Sequence, residues 1–355
     1  MTIANNRKKM QRITRENHPF KAQKADFVLA ASVTRTCEIQ GITQAGIPGN
    51  IPYTPTLDAE FIVTGRVFSL PDIAETPKGV PTPALLTRAA QTEAEFSKIT
   101  IFDLGLDVKP QEVDLKGFDI KPSGDISCGK ALDAQELFEK GRVAGKLYEL
   151  SGDYLILGES TPSGTTTAYA ASKSLGFNTD GYFSSSFKSV PNDIKTRVIQ
   201  EALAHTKPEM STFNKLSETA DNMLMFCAGF TLEASKRFSV MLAGGTQMAA
   251  VLMILDTLLR EKELSFNADN ITLCTTKWVS EDSASDIRGL LDQLSFSLKA
   301  FDTAFDFSLS EHPALKLYDE GEAKEGVGAG AAIAYMYAHG VSQEKITQVV
   351  ESFLA

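Results

Sequence analysis

Short runs of apolar and β-branched residues, separated by stretches with helical periodicity, are the feature that most constrains this fold. Within each run the apolar residues are continuous, which is typical of strands covered on both faces of a parallel sheet. The runs are Phe27–Ser32, Glu60–Thr64, Ile99–Asp103, Tyr154–Gly158, Phe238–Ala243 and Ile271–Thr276, with a weaker one near Phe305–Phe307. Strands that alternate with helices predict a doubly wound α/β fold, that is, a Rossmann-like parallel sheet with helices on both faces.

Helical periodicity fills the intervals between these runs and continues to the C terminus. The predicted helices are Thr82–Ala94, Ala131–Leu150, Thr166–Leu175, Ile194–Ala204, Gln247–Glu261 and Ser283–Phe296, followed by two C-terminal helices over 330–339 and 342–354. These patterns predict a Rossmann-like nucleotide-binding domain over 25–310. The basic N-terminal segment 1–24 and residues 311–355 are expected to form a small helical domain beside the sheet.

Composition excludes several classes of function. The net charge of −10 argues against nucleic-acid binding, which needs Lys and Arg to neutralise phosphates. The longest apolar stretch, 240–259, is interrupted by glycines and Asp256, so we expect no membrane span. The four cysteines are widely scattered, which favours a reduced, cytoplasmic location, and no Cys or His spacing predicts a metal site. The basic N terminus is interpreted as a solvated helical arm, with a targeting peptide as the alternative.

The strongest local signal is the segment GESTPSGTTTAYA, residues 158–170, in which a strand ends at Gly158 and a helix begins near Thr165. A helix N-terminus presents free N–H groups to an anion. Ser163, Gly164, Thr165 and Thr166 are therefore candidate phosphate ligands. The spacing is not that of a Walker A motif, and no lysine follows Gly164. An ordinary capped turn remains the alternative.

Two further strand-to-helix turns carry candidate ligands. LAGGTQM contains Gly244 and Gly245, and TTKWVSED contains Lys277 and Glu281. Because the carboxyl ends of parallel strands lie at one edge of a sheet, we expect the three turns to share one crevice. Glu159 would repel a phosphate there, but its carboxylate can accept hydrogen bonds from ribose hydroxyls. Tight packing at the glycine pair is the alternative.

A glycine-rich segment near the C terminus, EGEAKEGVGAGAA over 320–332, places Glu325 directly before Gly326 and Gly328. A carboxylate on such a loop is a candidate general base. On the residues alone, a solvated acidic loop is the simpler interpretation.

These segments together resemble the nicotinate-nucleotide–dimethylbenzimidazole phosphoribosyltransferases, and in particular a less characterised branch of that family. The resemblance extends over most of the chain. Six motifs carry it in order: Tyr53–Glu60, Gly79–Ala90, Gly158–Ala168, Leu242–Met248, Thr275–Asp282 and Lys324–Ala332.

The resemblance implies roles for individual residues. Glu325 to Ala329 matches the Glu-Gly-x-Gly-Ala run of the family, which makes Glu325 the expected general base and Gly326 and Gly328 part of the acceptor loop. The Gly-Glu start and the Thr pair of the family's phosphate loop correspond to residues 158–159 and 165–166. The glycine pair at 244–245 fits the family's Gly-Gly turn, whereas Lys277 and Glu281 match only roughly.

The implied reaction moves ribose 5-phosphate from nicotinate mononucleotide to a benzimidazole or purine base, and the α-ribotide product belongs to cobamide lower-ligand synthesis. The implied fold is Rossmann-like with a small helical domain, assembled as a homodimer, and neither a cofactor nor a metal is expected. A different nucleotide transferase or hydrolase, or a non-catalytic nucleotide-binding protein, are the alternatives on the same fold.

Overall fold

The computed structural model describes residues 10–188, 192–262 and 264–355, and eight parallel strands form its single sheet. The order across the sheet is β1-β8-β7-β6-β5-β2-β3-β4. The strands are β1 Gln11–Ile13, β2 Ala25–Ala31, β3 Lys98–Asp103, β4 Leu115–Gly117, β5 Tyr154–Ser160, β6 Val240–Ala243, β7 Ile271–Thr276 and β8 Lys299–Thr303. The predicted doubly wound α/β fold is confirmed.

Helices cover both faces of the sheet, and alternate strand residues enter two separate cores. In β2, for example, Val28 and Ala30 join one core while Phe27 and Leu29 join the other. The helices are α1 Thr54–Thr64, α2 Ala84–Glu93, α3 Ala134–Leu147, α4 Gly164–Ser174, α5 Asn192–Ala204, α6 Thr212–Thr219, α7 Asn222–Ala234, α8 Thr246–Lys262, α9 Lys277–Ser280, α10 Ile287–Leu291, α11 Pro313–Asp319, α12 Ala329–Ala338 and α13 Gln343–Ser352.

The chain direction across the sheet reverses between β2 and β5. Strands β3 and β4 extend from β2 toward one edge, whereas β6, β7 and β8 extend from β5 toward the other. Loops on the two sides of such a switch point diverge, which leaves a crevice at the carboxyl ends of the strands. The β5–α4 loop and the β6–α8 turn both lie at this edge.

The predicted strand Glu60–Thr64 is wrong, because these residues form the last part of helix α1. Pro55 lies in the first turn of that helix, and Gly65 ends it in the left-handed conformation with φ 75°. A β-branched run is only a weak signal for a strand, and packing against α2 and the sheet decides the helix here.

Several other boundaries differ from the predictions. The last strand is β8, and the expected run Phe305–Phe307 lies beyond it, where both phenylalanines pack against Trp278 and Phe307 also packs against Tyr318. The helix expected over 283–296 is reduced to the five residues of α10. No sequence pattern predicts β4 or α7, because β4 has only three residues and α7 is buried on every face and so lacks periodicity.

Within the described residues 10–24, the N-terminal segment contains a short strand and no helix. The expected basic arm includes Arg7, Lys8 and Lys9, which lie outside the described residues, and residues 11–13 form edge strand β1 beside β8. At the C terminus, α12 and α13 confirm the two predicted helices. Helix α12 packs directly on β6, β7 and β8, so the proposed boundary between a sheet domain and a helical domain stays a prediction.

All four cysteines are free thiols. Within the described ranges, no helix is both long enough and apolar enough to cross a membrane.

Candidate functional site

The crevice at the switch point is a pocket of ≈ 140 Å³. It is bounded by the β5–α4 loop, the β6–α8 turn, helix α1, the segment before α2, and the C-terminal loop between α11 and α12. Predicted site residues that line the pocket are Glu159, Ser163, Gly164, Thr165, Gly245, Glu325 and Gly326.

The β5–α4 loop lines the pocket with residues 159–165, which include several hydroxyl side chains. Ser163 has φ 67° at the start of α4, and its Oγ atom is buried. Within the described part of the chain, neither Ser163 Oγ nor Thr161 Oγ1 has a hydrogen-bond partner. Buried hydroxyls without partners at a helix N-terminus are suited to an anionic ligand, because they can donate to it where the helix carries a partial positive charge.

A buried lysine that the sequence analysis missed supplies a cation beside this loop. The Nζ atom of Lys195 donates hydrogen bonds to Thr165 Oγ1 at 2.9 Å and to Ser184 O at 3.2 Å. Both acceptor residues line the pocket, and Lys195 is 5% exposed. Burial, together with the nearby charge of Lys324, lowers the pKa of Lys195 to about 7. An anion in the pocket would stabilise the protonated amine.

A second buried cation, Lys324, comes from the C-terminal loop. Its Nζ atom donates to Asp282 Oδ2 at 2.7 Å and to Phe187 O at 3.1 Å. Burial alone would raise the pKa of Asp282, but the hydrogen bond and charge of Lys324 outweigh it and lower that pKa. Lys324 is therefore neutralised by the protein, in contrast to Lys195, whose two hydrogen-bond acceptors are uncharged.

Glu159 is the most strongly perturbed carboxyl group in the pocket. Burial raises its pKa to about 8, and the nearby Asp221, Glu325 and Asp58 carboxyls add to the rise, while a hydrogen bond with Gln247 opposes it. At neutral pH the group is mostly protonated and can donate a hydrogen bond. A neutral carboxyl group does not repel a phosphate in the same pocket. The repulsion expected from the position of Glu159 in the sequence is therefore avoided.

Asp58, on helix α1, is a further pocket carboxylate that the sequence analysis did not single out. Its Oδ1 atom accepts from Thr82 Oγ1 at 2.6 Å and its Oδ2 atom from Ser160 Oγ at 2.7 Å. Burial raises its pKa to about 6, although the two hydroxyls lower it in part. Each carboxylate oxygen accepts about two hydrogen bonds, so each oxygen of Asp58 keeps one free position.

Glu325 lies in the pocket wall and is held by donors on both oxygens. Its Oε2 atom accepts from Thr275 Oγ1 at 3.0 Å and Thr276 N at 2.8 Å. Its Oε1 atom accepts from Gly326 N and Gly330 N, both at 3.2 Å. Burial raises the pKa of Glu325 to about 7, although the four hydrogen bonds lower it in part. The side chain is partly open to the pocket, and it ties the glycine loop to the end of β7.

Three predicted glycines lie behind the pocket wall and do not line it. A Cβ atom at Gly158 would lie 3.0 Å from the Phe27 ring, and one at Gly328 would lie 2.9 Å from the same ring. A Cβ at Gly244 would lie 2.8 Å from Met248 Cγ. These glycines permit the close packing of the loops. Thr166 also lies outside the lining, with its Oγ1 buried and without a partner in the described residues.

Lys277 and Glu281 are engaged elsewhere. Lys277 Nζ forms an ion pair with Asp306 Oδ2 at 2.5 Å, and Glu281 forms one with Arg12 of β1. Neither lines the pocket, and the turn after β7 contributes Val279 instead. The short helix α9 begins at Lys277, which turns both charged side chains away from the crevice.

Polar contacts join three loops beside the pocket. Glu322 Oε1 is paired with Lys78 Nζ at 2.5 Å, and the Glu322 carbonyl accepts from Gln44 Nε2 at 2.9 Å. Gln44 Nε2 also donates to Ser186 O at 2.5 Å. Three separate loops thus meet at the segment before Glu325.

Comparison with known proteins gives the family. No family model matches the chain. Curated relatives named UPF0284 protein are 35% identical over 330 residues in Sulfolobus acidocaldarius, covering 92% of this chain and 93% of the relative. The Methanothermobacter thermautotrophicus relative is 34% identical over 335 residues, with 92% and 91% covered, and that of Archaeoglobus fulgidus is 36% identical over 337 residues, with 92% of each covered. The chain belongs to the UPF0284 family.

Solved structures share the α/β architecture of this chain. A nicotinate-nucleotide-dimethylbenzimidazole phosphoribosyltransferase from Thermus thermophilus matches with a TM-score of 0.57 over 92% of this chain and 83% of that one. A structure of CobT from the same organism matches with the same TM-score, over 92% and 84%. Both are 15% identical to this UPF0284 chain, so the likeness establishes the architecture.

The described residues contain no cluster of three or more His, Cys, Asp or Glu side chains that could hold a metal ion. Asp58 and Lys195 are the main site residues that sequence reasoning missed. Asp58 was hidden because its segment was interpreted as leading into a strand, and Lys195 because nothing in a helical pattern marks a lysine as buried.

Proposed function

We propose that this chain transfers ribose 5-phosphate from nicotinate mononucleotide to a benzimidazole or purine base, giving an α-ribotide. One observation carries the proposal. A single pocket at the switch point holds a helix N-terminus with unpartnered hydroxyls beside a buried amine, together with the carboxyl groups of Asp58, Glu159 and Glu325. The first set suits a phosphate, and the second suits a ribose and the base that attacks it. The fold shared with phosphoribosyltransferases supports this proposal.

In the proposed complex the 5′-phosphate lies at the N-terminus of α4. Thr161 Oγ1 and Ser163 Oγ donate to its oxygens, and Lys195 supplies the charge. A charge-assisted hydrogen bond of this kind contributes roughly 1.5–3 kcal/mol. Glu159, protonated at neutral pH, is positioned to hydrogen-bond a ribose hydroxyl.

The chemical step exchanges one C1′–N bond for another. A ring nitrogen of the acceptor attacks C1′ as the bond to nicotinate breaks, and the bonding electrons neutralise the positive nitrogen of the leaving pyridine. The other ring nitrogen of the acceptor loses its proton to a carboxylate of the pocket. Attack from the face opposite nicotinate inverts C1′ and gives the α-anomer. The step needs no cofactor, because the pyridine leaves already stabilised.

Two carboxylates are candidates for the general base. Glu325 is the residue that the resemblance implies, and that assignment stays a prediction. The contacts favour Asp58, because a base needs a free lone pair for the incoming proton. The four donors on Glu325 occupy its accepting positions, whereas each oxygen of Asp58 keeps one open. We therefore propose Asp58 as the base and Glu325 as the residue that positions the loop.

The proposal is tested by product analysis. Purified protein is incubated with nicotinate mononucleotide and a panel of benzimidazoles and purines, and the products are separated by chromatography and identified by mass. Stoichiometric nicotinate and a base ribotide support transfer. Nicotinate with free ribose 5-phosphate would indicate a hydrolase, and tight nucleotide binding without turnover would indicate a binding protein.

A further inference from the structure

Carboxyl groups outnumber ammonium groups in the wall of the pocket at the switch point. Among the described residues, the charged side chains that line it are five acids and one lysine: Asp58, Glu75, Glu159, Glu322, Glu325 and Lys324. Burial raises the pKa of Glu159 most, and neighbouring carboxyls, including Asp58 and Glu325, raise it further, so these acids lie within range of one another's charge. A cleft lined mostly by one sign of charge attracts groups of the opposite sign.

The lysines at this pocket differ in what neutralises them. Lys324 Nζ is paired with Asp282 Oδ2 at 2.7 Å, and both side chains are buried. Lys78 Nζ is paired with Glu322 Oε1 at 2.5 Å. Lys195 has two uncharged hydrogen-bond acceptors, so it is the one of these three cations that a ligand can neutralise. Once the 5′-phosphate lies beside Lys195, each of the three has an anionic partner.

This distribution of charge distinguishes two kinds of pyridine nucleotide. Both kinds carry a phosphate and a positively charged ring nitrogen. In nicotinate mononucleotide the ring also carries a carboxylate, which would face the acids of the pocket while the three lysines are already paired. A charge removed from water without a partner is costly. An uncharged amide in the same place avoids that cost, and its NH₂ group can donate to a carboxylate oxygen.

We propose that the donor is selected by its phosphate and its positive ring nitrogen, and that a pyridinium ribose 5-phosphate with an uncharged ring substituent, such as nicotinamide mononucleotide, is preferred over nicotinate mononucleotide. This inference rests on the proposed function, because it takes the pocket to hold a pyridine nucleotide. Nicotinate mononucleotide is then a donor, but the weaker of the two.

The chemical step is the same with either donor. The C1′–N bond to the pyridinium breaks, and its electron pair neutralises the ring nitrogen. The acceptor nitrogen forms the new C1′–N bond, and the acceptor loses its proton to a carboxylate of the pocket. The leaving base is nicotinamide instead of nicotinate. Because the ring loses its positive charge in this step, it also loses its attraction to the acids, which favours its release.

The first test compares three probes by calorimetric titration of the full-length protein: nicotinamide mononucleotide, nicotinate mononucleotide and reduced nicotinamide mononucleotide. The first two differ in the ring carboxylate. The first and third share the amide and the phosphate, but the reduced ring is uncharged. We expect nicotinamide mononucleotide to bind at least ~10-fold more tightly than either of the others, the effect of one unmatched charge in a buried site.

The second test supplies a cation for the ring carboxylate. Glu322→Gln removes the anionic partner of Lys78, which can then pair with nicotinate. Because Lys78 is exposed, the preference for the amide should fall by only about 2- to 5-fold. The matched control is Glu320→Gln, which frees Lys188 from a similar pair outside the pocket lining and should leave the preference unchanged. Denaturation curves check the folding of both variants.

Binding of nicotinate mononucleotide as tight as that of the amide, or equal binding of the reduced nucleotide, would overturn the inference. Steady-state transfer with each donor separates this failure from that of the proposed function. A higher kcat/KM with nicotinate mononucleotide would overturn the donor preference and leave phosphoribosyl transfer standing. Neither binding nor transfer with any of the nucleotides would overturn both.

Discussion

Replacing the two candidate bases one at a time separates their roles. Asp58→Asn keeps the size of the side chain and its contacts with the Thr82 and Ser160 hydroxyls, because each hydroxyl can rotate to accept instead of donate. It removes only the capacity to take a proton. A general base contributes typically 10²–10⁴-fold, so kcat should fall by about that factor, which corresponds to roughly 3–5 kcal/mol in the barrier.

Glu325→Gln should behave differently. A glutamine must direct its amide N–H₂ toward one of the two donor pairs that now point at Glu325, because both oxygens accept backbone or hydroxyl hydrogens. A donor facing a donor in a buried position costs about 1–3 kcal/mol. We therefore expect Glu325→Gln to lower the free energy of unfolding and to raise the KM for the acceptor. Any fall in kcat should result from displacement of the loop.

The pH dependence identifies the base directly. The base must be deprotonated, so kcat/KM should rise with pH through the pKa of the base in the free enzyme. That midpoint is expected near pH 6 for Asp58 and near pH 7 for Glu325. The acid limb should disappear in Asp58→Asn and persist in Glu325→Gln.

The matched control is Glu75→Gln, an exposed carboxylate on the same pocket, which should leave kcat within about twofold. Steady-state kinetics from about pH 5 to 9, with a denaturation curve for each variant, provide the measurement. An acid limb that persists in Asp58→Asn but is lost in Glu325→Gln would refute the reasoning from hydrogen bonds and restore Glu325 as the base.

Three further predictions concern the phosphate contact, the buried acid and the glycine loop. Lys195→Met should weaken nucleotide binding in calorimetric titration about 10- to 100-fold without changing the affinity for the free base, whereas Lys188→Met, at an exposed lysine, should change neither. Glu159 has a folded-state pKa near 8, above its unfolded value, so the folded protein binds more protons between these values and its stability should fall as pH rises from about 5 to 8. The Glu159→Gln variant should therefore have a free energy of unfolding higher than that of wild type by on the order of a few kcal/mol at about pH 8, but not at about pH 4.5. If denaturant unfolding shows the same dependence of stability on pH for both proteins, this prediction is contradicted. Gly330→Ala should destabilise the protein by roughly 1–3 kcal/mol, because its Cβ would lie 2.2 Å from the backbone carbon of Thr275, while Gly117→Ala, with open space around it, should have little effect.

The sequence specified the architecture of the sheet well because buried parallel strands leave a continuous apolar signal. Strands β2, β3, β5, β6 and β7 all carry that signal. Short edge strands such as β1 and β4 have too few residues to show it, and their pairing depends on contacts with distant parts of the chain. Helix α7 could not be predicted because all of its residues are buried. It therefore has no polar face, and its sequence shows no helical period.

The candidate site was predictable where it depends on local backbone and not where it depends on side-chain direction. The β5–α4 loop, Gly245 and Glu325 meet in one pocket because strand ends define its position. Lys277 and Glu281 lie at a strand end too, but ion pairs with Asp306 and Arg12 turn them away. Asp58 lies on helix α1, whose last part, Glu60–Thr64, has the sequence pattern of a strand. The burial of Lys195 is a consequence of packing alone.

The most direct test of the proposed transfer follows the anomeric carbon itself. Nicotinate mononucleotide labelled with ¹³C at C1′ is mixed with the enzyme and an acceptor base, and the C1′ resonance is followed by NMR as nicotinate is released. We expect the signal of the nicotinate nucleotide to be replaced one for one by that of an α-linked base ribotide, with no free ribose 5-phosphate. A label that stays on nicotinate with every acceptor, or that appears as free sugar phosphate or as a β-linked product, would contradict phosphoribosyl transfer by inversion.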